Sequence, residues 1–401
     1  MSNRVVLAYS GGLDTSVAVR WMIEELHVEV IAVAVDVGQG GDWEAVKDRA
    51  RAAGAIEALV VDCREEFARD FVAPALKANA LYENRYPLVS ALSRPVIVKH
   101  LVDVARSHGA DAVAHGCTGK GNDQVRFEVA TRALAPDLDV VAPVRNWGMT
   151  RADSIEYAAR YDIPIKATKE QPYSIDDNLW GRAIECGEME DPWARPPEGV
   201  WSLTTVRSGE AREITIGFEQ GVPVSLDGRA LALHELIVEL NEVVGGYGWG
   251  RLDMVENRRV GIKSRETYEA PAGLALIMAH VDLESICLER DLFHEKQRLE
   301  GRYADLVYDG FWYSPLKQAL DAFVDQSQRY VTGEVRLRLE PGRCYVVGRR
   351  SDYSLYDYGL ATYEADDAFN HADSEGFVKL WGLGVQTWAA KQAQRDAGSE
   401  S

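Results

Sequence analysis

The stretch Ala8-Tyr9-Ser10-Gly11-Gly12-Leu13-Asp14-Thr15-Ser16 constrains the fold more than any other. It follows an apolar run, Val5 to Ala8, and precedes a helical pattern that begins near Val17. The order is therefore strand, small-residue turn, helix N-terminus. The first N–H groups of a helix have no intrahelical partner, and glycines let an anion approach the main chain, so such a turn is a cradle for a phosphate. A turn in which Thr15 or Ser16 merely caps the helix explains one hydroxyl, not two glycines, an acid and two hydroxyls together. The Walker pattern is excluded, because it needs a lysine beside the hydroxyl and this stretch has Asp14 and Thr15 there.

Further β-rich runs follow at Val28 to Val35, Ala58 to Val61, Ala112 to Ala114 and Val140 to Val144, with helical patterns at Val17 to Leu26 and Trp43 to Ala53. Strands alternating with helices predict a parallel sheet covered on both faces, with ligands outside the carboxyl ends of its strands. The class is α/β, with a parallel-sheet nucleotide-binding domain over residues 1–165. The Pro-, Asp-, Glu- and Trp-rich stretch from Thr168 to Gly199 reads as a long irregular connection that reaches over a ligand. An α+β domain over 166–370 follows, with a hairpin through Gly221, a helix from Leu231 to Val244 and two strands turning at Pro341-Gly342. Residues 371–401 read as a helical arm. Its Phe377, Val378, Leu380, Trp381, Leu383, Val385 and Trp388 are too apolar to stand alone in water, so packing on another subunit is expected.

At 401 residues the chain can bury two substantial cores, and its net charge of −19 argues against a broad nucleic-acid-binding face. An anionic ligand must then be held locally, by helix N-termini and a cation, because the global field is screened within about 8 Å at physiological salt. Five scattered cysteines with no C-x-x-C pair point to a reducing, cytoplasmic setting. No basic region followed by a long apolar stretch opens the chain, and no run approaches the roughly 18 apolar residues of a membrane span. A soluble protein without a targeting segment is expected.

Ser10 to Ser16 resembles the PP-loop of the N-type ATP pyrophosphatases, which cleave ATP between its α and β phosphorus atoms. A second cluster, His115-Gly116-Cys117-Thr118-Gly119-Lys120-Gly121-Asn122-Asp123-Gln124-Val125-Arg126-Phe127-Glu128, resembles the long signature of the argininosuccinate synthase family. Similar stretches recur at Tyr82 to Pro87, at Tyr173 to Asp176, and from Val255 through Arg258 to Tyr268-Glu269. The resemblance implies ligation of citrulline and aspartate driven by ATP, in arginine biosynthesis. Argininosuccinate, AMP and diphosphate would form through a citrullyl-adenylate, in a cytoplasmic homotetramer. It also assigns Ala8 through Ser16, Val35 and Gly116 to ATP, and Tyr86, Asn122, Arg126, Ser174, Glu256 and Tyr268 to citrulline. Thr118, Asn122 and Asp123 go to aspartate. Asp14, Thr15, Ser16 and Asp123 are the candidate catalytic positions.

A guanidinium suits a carboxylate because its fork makes two parallel charge-assisted bonds, which fits Arg126; the plainer alternative is a surface ion pair with Glu128 or a neighbour. Glu256 is the natural partner for the citrulline ammonium. Ala183 stands where many family members have a serine, a loss of one neutral hydrogen bond worth roughly 0.5–1.5 kcal/mol. Mg²⁺ is expected with ATP, keeping several waters and few protein ligands. No protein metal cage is expected: Asp14 either orients Mg²⁺ or fixes the loop, and His27, His100, His108 and His115 are expected to be structural. The acidic and basic runs at Asp62 to Glu66 and Arg349 to Asp352 are expected on solvated surface. Two alternatives stand beside this reading: another PP-loop ligase, and a non-catalytic adenine-nucleotide-binding protein.

Overall fold

The computed structural model describes residues 3–164, 173–207 and 209–399. The chain divides at Tyr353/Ser354 into two units. The expected domain boundary at Ile165 lies outside the described residues.

The larger unit opens with β1 (Arg4–Ala8), β2 (Glu29–Asp36), β3 (Glu57–Asp62), β4 (Ala112–Ala114) and β5 (Asp139–Val141). They form one parallel sheet in the order β3-β2-β1-β4-β5. Alternate residues of β1 and β2 feed two different cores: Val6, Ile31 and Val33 one, Val5, Leu7, Val30 and Ala32 the other. Period-2 alternation with apolar residues on both sides is what a sheet covered on both faces demands. The strand order reverses at β1, between β2 and β4, and the crevice at such a switch point is where an open α/β sheet binds ligands. The expected strand from Val140 to Val144 is shorter, because Pro143 opens a helical turn, Pro143–Asn146, and has no N–H for a ladder.

The stretch expected to be irregular is in part a hairpin, β6 (Ser174–Asn178) and β7 (Gly181–Glu185), closed by the buried Trp180. Its acidic residues face a cavity rather than a core, so apolar alternation is missing from β6. After it come β8 (Arg212–Glu219), β9 (Val222–Leu226) and β10 (Arg229–Ala230), then β11 (Arg251–Asn257), β12 (Lys263–Glu269), β13 (Gly333–Glu340) and β14 (Arg343–Arg350). One antiparallel sheet has the order β11-β12-β7-β6 and the other β10-β9-β8-β13-β14. The expected hairpins at Gly221 and Pro341-Gly342 and the helix Leu233–Gly245 are present. The helix Pro271–Cys287 starts on a proline at its first turn, buries residues on every side and packs against β13 and β14.

In the smaller unit, the helix His371–Ser399 presents Leu380, Trp381 and Val385 to solvent, each more than 70% exposed. Among the described residues no helix is long and apolar enough to cross a membrane. All five cysteines are free thiols.

Candidate active site

Two adjoining cavities, of about 440 and 360 Å³, open at the carboxyl ends of β1 and β4. Ser10, Arg94, Gly116, Cys117, Asp123 and Asp176 line both, so one wall is common.

The larger cavity takes an apolar floor from Val33, Val35, Val37, Ile97 and Phe127, and a rim from the loop after β1. Gly12 is the N-cap of the helix Leu13–Leu26, and no side chain caps it. The leading N–H groups are therefore presented outward, as an anion site requires. Gly11 has φ +74°, and Arg49, from the helix Trp43–Ala52, donates to its carbonyl at 3.2 Å. A β-carbon on Gly11 would meet that guanidinium, and one on Gly116 would sit 3.0 Å from the Thr15 side chain, so glycine lets the first loop close on Arg49 and the second on Thr15.

The loop residues divide by what they offer. Ser10 and Asp14 are exposed, and the Ser10 and Thr15 hydroxyls are 3.1 Å apart. Ser16 is fully buried; its hydroxyl lies 2.8 Å from the Tyr9 hydroxyl and its N–H donates to the Gly12 carbonyl. Leu13 is buried in the core. Ala8, Tyr9, Ser10, Thr15, Val35 and Gly116 line the larger cavity, whereas Gly11, Gly12, Leu13 and Ser16 line neither. Partial desolvation raises the Asp14 carboxyl above its ordinary value, and the Arg151 charge opposes this.

The smaller cavity gathers Asp14, Tyr86, Thr118, Asn122, Asp123 and Arg126 from the part of the chain that builds the parallel sheet, and Ser174, Glu256 and Tyr268 from the part after it. Ala183 is on its wall. Tyr86 stacks on Tyr268 at 4.1 Å between centroids, and its hydroxyl accepts from the Ser90 N–H. Arg126 is buried rather than on the surface. Its Nη1 is 2.8 Å from Asp123 and its Nε donates to the Tyr308 carbonyl, while Glu128 pairs with Arg145 instead. The Asn122 amide donates to the Tyr308 hydroxyl at 2.7 Å and accepts from the Arg259 N–H. Burial pushes the Asp123 carboxyl up, but Arg94 and Arg126 overcome it and hold the group at about 2.

Sequence reasoning missed several of these groups. Arg94 bridges Asp123 at 2.8 Å and Asp176 at 2.6 Å; Tyr308 packs its ring on Tyr82 at 3.6 Å; Glu185, Arg258 and Glu266 form an ion-pair chain. Asp176 and Arg258 lie inside quoted motifs, and Glu266 has the right face periodicity beside Tyr268. Arg94 and Tyr308 sit on helices with no local mark.

His27 and His108 close helices, and the His115 Nδ1 accepts from the Cys117 N–H. His100 meets Glu66 at 2.7 Å and Cys63 is near enough to share an ion with them. Burial and the nearby Glu66 carboxylate push the Cys63 thiol up to about 12, however, and Lys99 occupies Glu66. Glu66 is thus half-buried and paired, not solvated as the run Asp62 to Glu66 was expected to be.

Residues 4–164 match the family model described as the arginosuccinate synthase N-terminal HUP domain, and residues 173–388 match that of the arginosuccinate synthase C-terminal domain. A protein of Halalkalibacterium halodurans named argininosuccinate synthase is 54% identical over 389 residues, which is 96% of this chain and 95% of that one. Another of that name, from Thermosynechococcus vestitus, is 55% identical over 397 residues, 98% of this chain and 99% of its own. A solved structure described as a predicted subunit of a tRNA methyltransferase from Methanocaldococcus jannaschii shares 11% identity at a TM-score of 0.28, over 39% of this chain and 75% of that one, too remote a likeness to speak to the site.

Proposed function

Since the chain belongs to the argininosuccinate synthase family, and so is an ATP-dependent ligase of citrulline and aspartate, we propose that the larger cavity holds ATP and the smaller one the two amino acids, with the reacting atoms meeting at their common wall. That shared wall is the observation that carries the assignment. The apolar floor suits an adenine, and the uncapped helix and the Ser10 and Thr15 hydroxyls suit its phosphates.

A ureido carbon is a poor electrophile. Attack of the ureido oxygen on the α-phosphorus makes that oxygen a leaving group and releases diphosphate; the aspartate amine then adds to the carbon and AMP departs. No protein nucleophile is needed, and the site's contribution is placement and charge stabilisation. Arg126 takes the citrulline carboxylate, Glu256 its ammonium, and Tyr86, Ser174 and Tyr268 frame the chain between. Thr118, Asn122 and Asp123 take aspartate. Asp123 has the right charge for an ammonium and keeps it at neutral pH because Arg94 and Arg126 hold it ionised.

For Mg²⁺, the acids lining the larger cavity are committed: Asp123 and Asp176 to Arg94, Asp177 to Arg182. This fits a cation ligated mostly by ATP and water, with Asp14 the exposed carboxylate beside the phosphate loop. When bound, Mg²⁺ neutralises charge on the phosphates. The arm His371–Ser399 supports a homotetramer through its exposed apolar residues, and five free thiols suit the cytoplasm.

Diphosphate release tests the assignment. It is expected only when Mg·ATP and citrulline are both present, and to reach steady turnover with argininosuccinate only when aspartate joins them. Turnover with a different acceptor and none with citrulline would overturn it.

A further inference from the structure

The inner end of the smaller cavity presents more acid than its cations balance. Glu256 on β11 and Glu266 on β12 are diagonal neighbours on one face of the antiparallel pair, since Glu256 is opposite Ser264 and Met254 opposite Glu266. Glu256 is buried. Arg258 sits 2.9 Å from Glu266 and 2.6 Å from Glu185, so one guanidinium serves two carboxylates and none of its bonds reaches Glu256. The other guanidinium nearby, Arg126, bonds Asp123 and the Tyr308 carbonyl, and neither bond reaches Glu256.

The Tyr268 hydroxyl has one proton, 2.6 Å from Glu266 and 3.2 Å from Glu256. The Tyr308 hydroxyl accepts from the Asn122 amide. The Tyr82 hydroxyl donates away, to the Asn257 carbonyl, and the bond of the Tyr86 hydroxyl is with the Ser90 N–H rather than with either acid. One Tyr268 proton cannot fill both bonds, and the shorter of them takes it to Glu266. An ionised carboxylate is an acceptor only, so the bond between Tyr268 and Glu256 requires a proton of its own, on Glu256.

We propose that the Glu256–Glu266 pair holds one proton in the ligand-free protein and surrenders it to solvent when a ligand's α-ammonium enters, Glu266 being the positioning residue that loads Glu256 with that proton. The proton is a placeholder for the cation: it keeps two buried acids from repelling one another until an ammonium, with three donors, replaces it. This end of the cavity then selects amino acids in their ammonium form and rejects an uncharged isostere, which would leave the acid protonated and gain no charge pairing. The burial of Glu256 and the charge of Glu266 raise its proton affinity by more than the Arg126 charge lowers it, in keeping with the count. The inference rests on the reading of this cavity as the citrulline seat.

Calorimetric titration of the full chain with L-citrulline, in HEPES and in Tris at about pH 7.5, tests it, because the difference in buffer ionisation heat gives the protons exchanged per ligand bound. The expected result is release of about one proton per citrulline, falling towards zero in Glu266→Gln, which still binds citrulline. Binding heat with no proton release in the unaltered protein would overturn the inference and leave the citrulline seat standing. Full release retained in Glu266→Gln would overturn the role of Glu266. No citrulline heat, with or without a non-hydrolysable ATP analogue, would overturn the seat itself.

Discussion

The Arg94 guanidinium lies 2.8 Å from the Asp123 carboxylate, and with that contact it joins the wall shared by the two cavities. Its other arm reaches Asp176 at 2.6 Å, so one side chain ties the helix that follows β4 to the hairpin β6-β7. Arg94→Lys keeps the charge but loses the fork that serves both acids. A cost of about 1–3 kcal/mol in urea unfolding is expected, with a larger rise in KM for aspartate than for ATP. Unchanged stability and kinetics would remove Arg94 from this role.

Arg126→Ala is expected to raise KM for citrulline well above tenfold, through loss of a charge-assisted pair of about 1.5–3 kcal/mol. Because Arg126 also holds Asp123, KM for aspartate should rise too, but less. Equal rises in steady-state assays would make Arg126 a support for Asp123 rather than a citrulline ligand.

Within the phosphate loop, Ser10 and Ser16 should separate. Ser10→Ala removes an exposed hydroxyl at the cavity rim and should raise KM for ATP with little change in Tm. Ser16→Ala removes the buried partner of Tyr9 and should lower stability by about 1 kcal/mol, with a smaller effect on KM for ATP. The opposite pattern would mean that the loop rearranges around ATP.

Glu256 and Asp123 should give opposite pH dependences. With the proposed proton, Glu256 is neutral when folded and ionises when unfolded above about 4.3, so the native state binds the extra proton and stability falls as pH rises from there towards the raised native value. Glu256→Gln should flatten that decline. Asp123 is held at about 2, so its contribution is fully present above its unfolded value of about 3.9 and is lost as pH falls through 2. Urea midpoints measured across pH check both, and a decline undiminished in Glu256→Gln would contradict the first.

Removal of residues 371–401 should reduce the assembly seen by sedimentation, since Leu380, Trp381 and Val385 would no longer be there to bury. An unchanged mass would dissociate the arm from oligomerisation.

The parallel sheet was legible because its strands are short apolar runs set between glycine turns and amphipathic helices, and Val5 to Ala8 with Gly11-Gly12 fixed where its ligand edge lies. The hairpin β6-β7 was not, because Ser174, Asp176 and Asp177 line the two cavities and carry no core alternation. Residues inside motifs, such as Asn122, Arg126 and Tyr268, were legible as one set and converge on one cavity. Arg94, Glu266 and Tyr308 were not, since their meaning comes from partners 29, 10 and 186 positions away, Asp123, Glu256 and Asn122. Ser16 shows the converse: a motif residue whose hydroxyl is consumed by Tyr9 within the loop's own support.

In the proposed reaction the ureido oxygen of citrulline meets the α-phosphorus of ATP at the wall formed by Ser10, Gly116 and Asp123. Citrulline labelled with heavy oxygen in its ureido group, turned over with Mg·ATP and aspartate, tests this most directly by mass spectrometry of the AMP. Label in the AMP phosphate is the predicted result, because that oxygen departs with AMP when the aspartate amine adds. Unlabelled AMP formed alongside argininosuccinate would contradict it.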